Sequence, residues 1–224
     1  MSLYTTFLEF REVLLEGIWE TFYMVLFSVT FGYIIGLPLG ILLVVTGSGK
    51  FMENKIFSFL FGGLVNIIRS IPFIILITVL IPITRIVMGT AIGSRAAILP
   101  LVIACAPFVA RMVETIFNEL DQGLIDVAKS MGATNYQIIT KVMIPESIPA
   151  LIRSFSITTI MLISFSAMAG AVGAGGLGRI AIRYGVQRFE QEVMLLTIII
   201  IVAIVAMVQF LFNTLALKID KRVV

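Results

Sequence analysis

Residues 126–145 read Asp-Val-Ala-Lys-Ser-Met-Gly-Ala-Thr-Asn-Tyr-Gln-Ile-Ile-Thr-Lys-Val-Met-Ile-Pro, a polar, Gly- and Pro-punctuated segment inside an otherwise apolar chain. Leu124, Val127, Ala128 and Met131 fall at i, i+3, i+4 and i+7, which gives a short helix an apolar stripe. Asp126, Lys129 and Ser130 face away from it. Gly132 suits the left-handed residue just past a helix end, and Thr134 with Gln137 three residues on has the capping-box pattern for a second helix. Pro145, with no amide donor and a ring that clashes with the preceding turn, is expected to stop that helix. Two readings stand for the hairpin of residues 121–146: a surface feature with no partner, or a stripe that seats in a groove on a soluble protein.

The rest of the chain is built for lipid. Of its 224 residues, 59% are hydrophobic and 13% charged, against roughly half and a quarter in soluble domains, and several apolar runs exceed the ~18 residues that mark a membrane helix. Five spans are expected, at Thr21 to Val45, Ile56 to Ile83, Ala91 to Val113, Ala150 to Gly173 and Val193 to Leu217. The fold class is therefore an all-α membrane protein with its termini on opposite sides. In residues 1–20, Glu9, Glu12, Glu16 and Glu20 cluster on one helical face, and no basic start or cleavage site of a removed signal peptide is present. An amphipathic helix at the interface is the expectation there.

With the hairpin inside, the inner loops and tail hold Lys50, Lys55, Arg111, Lys129, Lys141, Arg153, Lys218, Lys221 and Arg222. Arg11, Arg85, Arg95, Arg179, Arg183 and Arg188 fall outside, a bias of nine against six that sets the carboxyl terminus in the cytoplasm and the amino terminus outside. The basic tail of residues 218–224 is its strongest element. A net charge of +3 is then a consequence of topology and gives no reason to invoke nucleic acid. Histidine is absent and Cys105 is alone within the third span, so the usual general base, the usual transition-metal ligand and any intramolecular disulfide are missing.

Two nucleotide-binding motifs are imitated and rejected. Thr46-Gly-Ser-Gly-Lys-Phe51 lacks the first glycine and the final hydroxyl of a phosphate-binding loop, with Val44 and Phe51 in their places, and it follows a membrane span instead of a strand. Gly173-Ala-Gly-Gly-Leu-Gly178 matches the dinucleotide fingerprint in letters, yet has neither a strand-helix-strand context nor an acid at the ribose distance. If ATP drives this protein, a separate subunit must hydrolyse it.

Small residues carry a membrane logic. Gly32, Gly36 and Gly40 repeat every four residues, a stripe that lets another helix approach closely. The stretch from Ser164 to Gly178 is richer still. It reads either as tight packing or as a cavity lining that exposes Ser164, Ser166 and unwound backbone to a polar solute, with Met168 the foremost cavity-facing side chain. Arg69 lies within the second apolar run. Either it lines the translocation pathway, or a late helix start near Leu64 brings it close to the cytoplasmic surface. Arg111 and Glu114, at i and i+3, read as a local structural pair.

The hairpin spacing, an acid-small-Ala triplet followed by Gly132 and an apolar-x-apolar-Pro ending at Val142, Ile144 and Pro145, resembles the cytoplasmic signature loop of ABC-importer permeases. Three further blocks narrow it: Val65-Asn-Ile-Ile-Arg-Ser-Ile-Pro-Phe-Ile-Ile-Leu76, Ala106-Pro-Phe-Val-Ala-Arg-Met-Val-Glu114, and Ser166-Ala-Met-Ala-Gly-Ala-Val-Gly-Ala-Gly-Gly-Leu-Gly178. With Met131-Gly-Ala-Thr134, these resemble the methionine-uptake permease family of ABC importers over nearly the whole chain. Departures are mild: Asp126 replaces the usual Glu, Val127 a small residue, and Asp121 stands where Pro is common. The resemblance implies a type I importer permease fold over residues 17–214, in a prokaryotic cell membrane. It implies a second copy of this permease, two ATP-binding subunits inside and a substrate-binding lipoprotein outside. This chain would bind no cofactor itself; ATP and Mg would be used by the partner. Leu124, Asp126, Val127, Ala128, Met131 and Gly132 would couple to the ATPase, and Arg69, Ser164, Ser166 and Met168 would line the substrate pathway.

Alternatives from other classes are less well supplied. An ion-coupled secondary transporter would show inverted repeats, interrupted helices and acids deep within spans, and neither a convincing repeat nor such an acid is found. An intramembrane enzyme would need a base for Ser164 or Ser166, and neither a histidine nor a lysine in the same span supplies one. A permease for another amino acid or small polar solute is the nearer alternative.

Overall fold

The computed structural model describes residues 3–220, which wind almost entirely into helices. They are α1 (Leu3–Thr46), α2 (Lys55–Ser70), α3 (Phe73–Val79), α4 (Ile81–Met88), α5 (Ser94–Asn118), α6 (Gln122–Ser130), α7 (Asn135–Gln137), α8 (Ile144–Ala171), α9 (Gly176–Ile180) and α10 (Gln191–Ile219). π-Helical turns at Ile138–Met143 and Ala181–Val186 follow α7 and α9. Lys221 and Arg222 of the basic tail lie outside the described residues.

By length and apolarity four helical runs can cross a bilayer: Thr5–Thr46, Ser94–Asn118, Asn135–Val186 and Gln191–Ile219. A fifth crossing needs α2 and α3 taken together, and these are bent by 103° at Ser70–Pro72. The expected straight span from Ile56 to Ile83 is thus replaced by a broken one. Pro72 has no amide to give to the α2 ladder, and it pushes Ile71 into extended backbone (φ −83°, ψ 122°). The expected interfacial helix of residues 1–20 is not a separate element either. The winding runs unbroken from Leu3 to Thr46, through Pro38 with its missing amide, so the acidic face and the first span are one 44-residue helix.

The core forms where α1, α5 and α8 meet, around Met24, Leu101, Val109, Val113 and Leu162. Backbone proximity makes this core. A Cβ added to Gly36 would stand 2.5 Å from the Ala106 carbonyl oxygen and 2.7 Å from Val109 Cβ, and one on Gly40 would stand 2.6 Å from the Ala110 carbonyl. Gly32 abuts Cys105 in the same way. The stripe is therefore filled by α5 of the same protomer. By contrast, α10 buries only Val193, Thr197 and Ala216.

Candidate functional site

The hairpin is assembled from local chemistry. The Asp121 carboxylate accepts the Gly123 amide at 2.8 Å and caps α6. At the other end Gly132 takes φ +79°, its N–H donates to the Lys129 carbonyl at 2.9 Å, and the Ala133 N–H donates to the Ala128 carbonyl at 3.0 Å. That pair of bonds is a Schellman motif, and only glycine enters it without strain. Thr134 then opens the second arm: its hydroxyl accepts the Gln137 N–H at 3.3 Å and its own N–H donates to Gln137 Oε1 at 2.9 Å.

Burial divides the apolar stripe of α6. Leu124, Val127 and Met131 are 41%, 61% and 82% exposed, whereas Ile125 is buried and Ala128 is half-buried against the core with Ala133. On the helical wheel Ala128 is the edge of the stripe nearest Ile125, about 60° away, so it turns toward the core beside that residue, which the periodicity did not single out. Tyr136 joins the outward set and is largely exposed. Asp126 and Lys129 are exposed too; the Lys129 ammonium lies 5.5 Å from the centre of the Phe51 ring, against the loop between α1 and α2.

Pro145 does not stop the second arm. The winding widens into a π-turn, the Ile144 N–H reaches back to the Ile139 carbonyl, and Pro145 falls in the first turn of α8 where a missing N–H is tolerated. Ile138 and Met143 are fully buried, so the hairpin is anchored on one side and open on the other.

The residues expected along a substrate pathway separate. Ser164 and Ser166 are two apart and point to opposite sides of α8. Ser166 is buried and donates to the Ile163 carbonyl at 2.7 Å, while Ser164 and Met168 are exposed. Met161, Ser164, Phe165 and Met168 share one face. Met161 and Phe165 continue into a cavity of about 220 Å³ that also takes in Arg69, Phe73, Ala104 and Phe108. Because α2 begins at Lys55, Arg69 sits in its last turn, and the late start that would bring it to the inner surface does not occur. Its guanidinium carbon lies 6.0 Å from the Phe108 ring centre. One turn back, Arg111 pairs with Glu114 and donates to Asn66 Oδ1 at 2.7 Å, tying α5 to α2.

Both nucleotide-motif imitations have their amides occupied by protein carboxylates. Gly49 N–H donates to Glu53 Oε2 at 3.0 Å, and Gly176 N–H to Glu20 Oε2 at 2.6 Å. Glu20 also holds Arg179 at 3.3 Å, and the neighbouring Thr21 hydroxyl accepts the Leu177 N–H at 2.9 Å. The glycine-rich run is therefore a seam that fastens α9 to α1. Sequence reading missed this contact, since Glu20 and Arg179 lie far apart along the chain.

A polytopic helical bundle that holds out one anchored, apolar-tipped hairpin has the form of a transport permease coupled to a soluble engine. Residues 15–224 match the family model for binding-protein-dependent transport system inner membrane components, and the chain belongs to that family. Its relatives are more specific. A probable D-methionine transport system permease protein MetI of Vibrio cholerae is 43% identical over 211 residues, 94% of each chain, and one of Pasteurella multocida is 48% identical over 203 residues, 91% of this chain and 94% of the relative. A chain of the MetNI methionine ABC transporter, solved in inward-facing conformations, superposes with a TM-score of 0.93 at 44% identity, covering 95% of this chain and 99% of that one. A chain of an amino acid ABC transporter solved with histidines shares the fold, with a TM-score of 0.73 at 22% identity.

Proposed function

We propose that this chain is the membrane-spanning subunit of an ATP-driven methionine importer. The observation that carries the reading is likeness over the whole chain, in sequence and in fold, to methionine permeases. The subunit works as a pair, with two ATP-binding subunits on the cytoplasmic side and a methionine-binding lipoprotein outside. ATP and Mg act in the partner, and this chain is not an enzyme. Its amino terminus faces outward and its carboxyl terminus inward, as the distribution of basic residues favours.

Transport proceeds by alternating access. Closure of the ATPase dimer on ATP moves the Leu124, Val127 and Met131 face of the hairpin, and the helices behind it reorient so that the central path opens outward and then inward. That path follows Arg69 and the Ser164–Met168 face of α8. Ser166 has a packing role.

The test is reconstitution of permease, ATPase and binding lipoprotein in proteoliposomes. Methionine should accumulate only with ATP and with both partners, in a complex whose mass fits two permease and two ATPase chains. Uptake driven by an ion gradient without ATP, uptake of another solute in place of methionine, or one permease per complex would overturn the reading.

A further inference from the structure

We infer that the cavity at the broken end of α2 is an internal station for the amino-acid substrate, with Arg69 as the receptor for its carboxylate. The inference rests on the amino-acid cargo proposed above and adds the site and the chemistry. Arg69 is exposed in this chain and lies roughly 20 Å of helix rise from Lys55 at the start of α2, less than the ~30 Å of a bilayer core, so an α2 that enters the membrane at Lys55 carries Arg69 into it. A guanidinium there needs an anion or water, because hydrocarbon offers neither. Among the described residues the ion pairs engage Lys55, Arg111, Arg153 and Arg179, and none engages Arg69.

The surroundings suit one ligand class. A planar guanidinium presents paired donors that match a carboxylate. The remaining walls are apolar and aromatic: Phe73 and Phe165 stack with centroids 4.5 Å apart and planes within 5°, and Phe108 and Met161 lie beside them. Aromatic ring edges and a thioether make favourable contacts with an unbranched sulfur-containing side chain. At about 220 Å³ the cavity falls below the ~300–1,000 Å³ of pockets for drug-sized ligands, which fits a single amino acid. At the break at Ser70–Pro72, bent by 103°, the Ile71 N–H donates to the Ile68 carbonyl, while those of Ile67, Arg69 and Ser70 accept none of the turn or cap backbone bonds among the described residues and suit an ammonium. Interrupted helices serve polar solutes in this manner where they border a cavity.

The test places a reporter thiol in the wall, Met161→Cys in a Cys105→Ser background, within the reconstituted permease–ATPase complex. Labelling by a small water-soluble methanethiosulfonate is followed with methionine, with 4-(methylthio)butanoate, which keeps the carboxylate and lacks the ammonium, and with methioninol, which lacks the carboxylate. Methionine and the butanoate should slow labelling severalfold and methioninol should not. Arg69→Gln should abolish the protection and Arg69→Lys retain part of it. The analogue contrast is made with Arg69 intact, so it does not depend on how the variants fold. Equal protection by methioninol, undiminished protection in Arg69→Gln, or a thiol that no reagent reaches overturns the assignment. Uptake by the unmodified complex separates the two failures: methionine uptake without the analogue contrast defeats the station alone. If the complex carries another amino acid, that acid and its alcohol replace the methionine pair and the same contrast decides.

Discussion

Met131→Ala should weaken the hold on the ATPase subunit and leave the permease as stable as before, whereas Ile125→Ala should do the reverse. Met131 is 82% exposed in the free chain, so most of its surface is still available for burial by a partner. Burying a methionine side chain fully is worth about 1.5–3 kcal/mol. Allowing for the part already covered and for the methyl that alanine keeps, the loss is roughly 1–2 kcal/mol, a 5–30-fold rise in Kd for the ATPase. Ile125 is 6% exposed within the main core. Its truncation should cost about 2–5 kcal/mol of permease stability through transfer and cavity terms. Met131→Glu, which carries a charge into the same groove, should lose several kcal/mol of association. The assays are the thermal midpoint of the purified permease and the affinity of immobilised permease for the soluble ATPase. Unchanged affinity in Met131→Ala, or a lowered midpoint in that variant, would refute the division of the hairpin into an anchored side and a docking side.

Further outcomes follow from single contacts. No atom lies within 4 Å of a Cβ built on Gly132 at φ +79°, so Gly132→Ala meets only backbone strain of roughly 1–2 kcal/mol, and Gly132→Asn should recover ATP-driven uptake because asparagine tolerates that conformation. Equal uptake by the Ala and Asn variants would remove the strain argument. Gly36→Val should lower the thermal midpoint by an overpacking cost of about 1–3 kcal/mol, while Gly63→Ala, with nothing within 4 Å, should not. Glu20→Ala strands the Gly176 amide at about 1–3 kcal/mol and leaves Arg179 only its longer 3.9 Å contact with Glu16, and Glu20→Gln, which keeps an acceptor, should lose less midpoint. In a Cys105→Ser background, cysteines replacing Asn135 and Arg183 should label from the cytoplasmic and the external side respectively; labelling of both from one side would overturn the orientation.

The features legible in the sequence are those set by neighbours in the chain. The capping box at Thr134 and Gln137, the left-handed turn at Gly132 and the spacing of Gly32, Gly36 and Gly40 each follow from a few adjacent residues, and each has its counterpart in the geometry. Hydropathy marked the apolar runs but not their shape. The run from Ile56 to Ile83 is mostly apolar, with Asn66, Arg69 and Ser70 the main interruptions, and Pro72 marks the break. At Pro145 the same argument failed, because a π-turn absorbs what an α-turn cannot. Which side of α6 faces inward was not legible, since Leu124, Val127, Ala128 and Met131 form one stripe of about 100° and the core that meets its Ala128 edge is made by other segments. The Glu20–Arg179 contact depends on how α9 folds back on α1, and no local pattern encodes it.

The failure of Pro145 to end the hairpin has a mechanical consequence. From Asn135 the chain stays helical through the π-turn and into α8 as far as Ala171, so the hairpin's second arm and the wall of the cavity are parts of one continuous rod. Ile138 and Met143 are buried and Tyr136 is open, which places a fulcrum within one or two turns of the exposed tip. From Ile144 to Met161 is roughly 25 Å of helix. A small rotation at the fulcrum is therefore enlarged along α8 before it reaches Met161, Ser164, Phe165 and Met168. The near end is set by the outward residues that a partner can grip, and the far end borders Arg69. In the alternating-access reading proposed above, helix rigidity would transmit motion between them without any chain of side-chain rearrangements, and the glycine contacts of α1 with α5 would hold the body against which the rod turns.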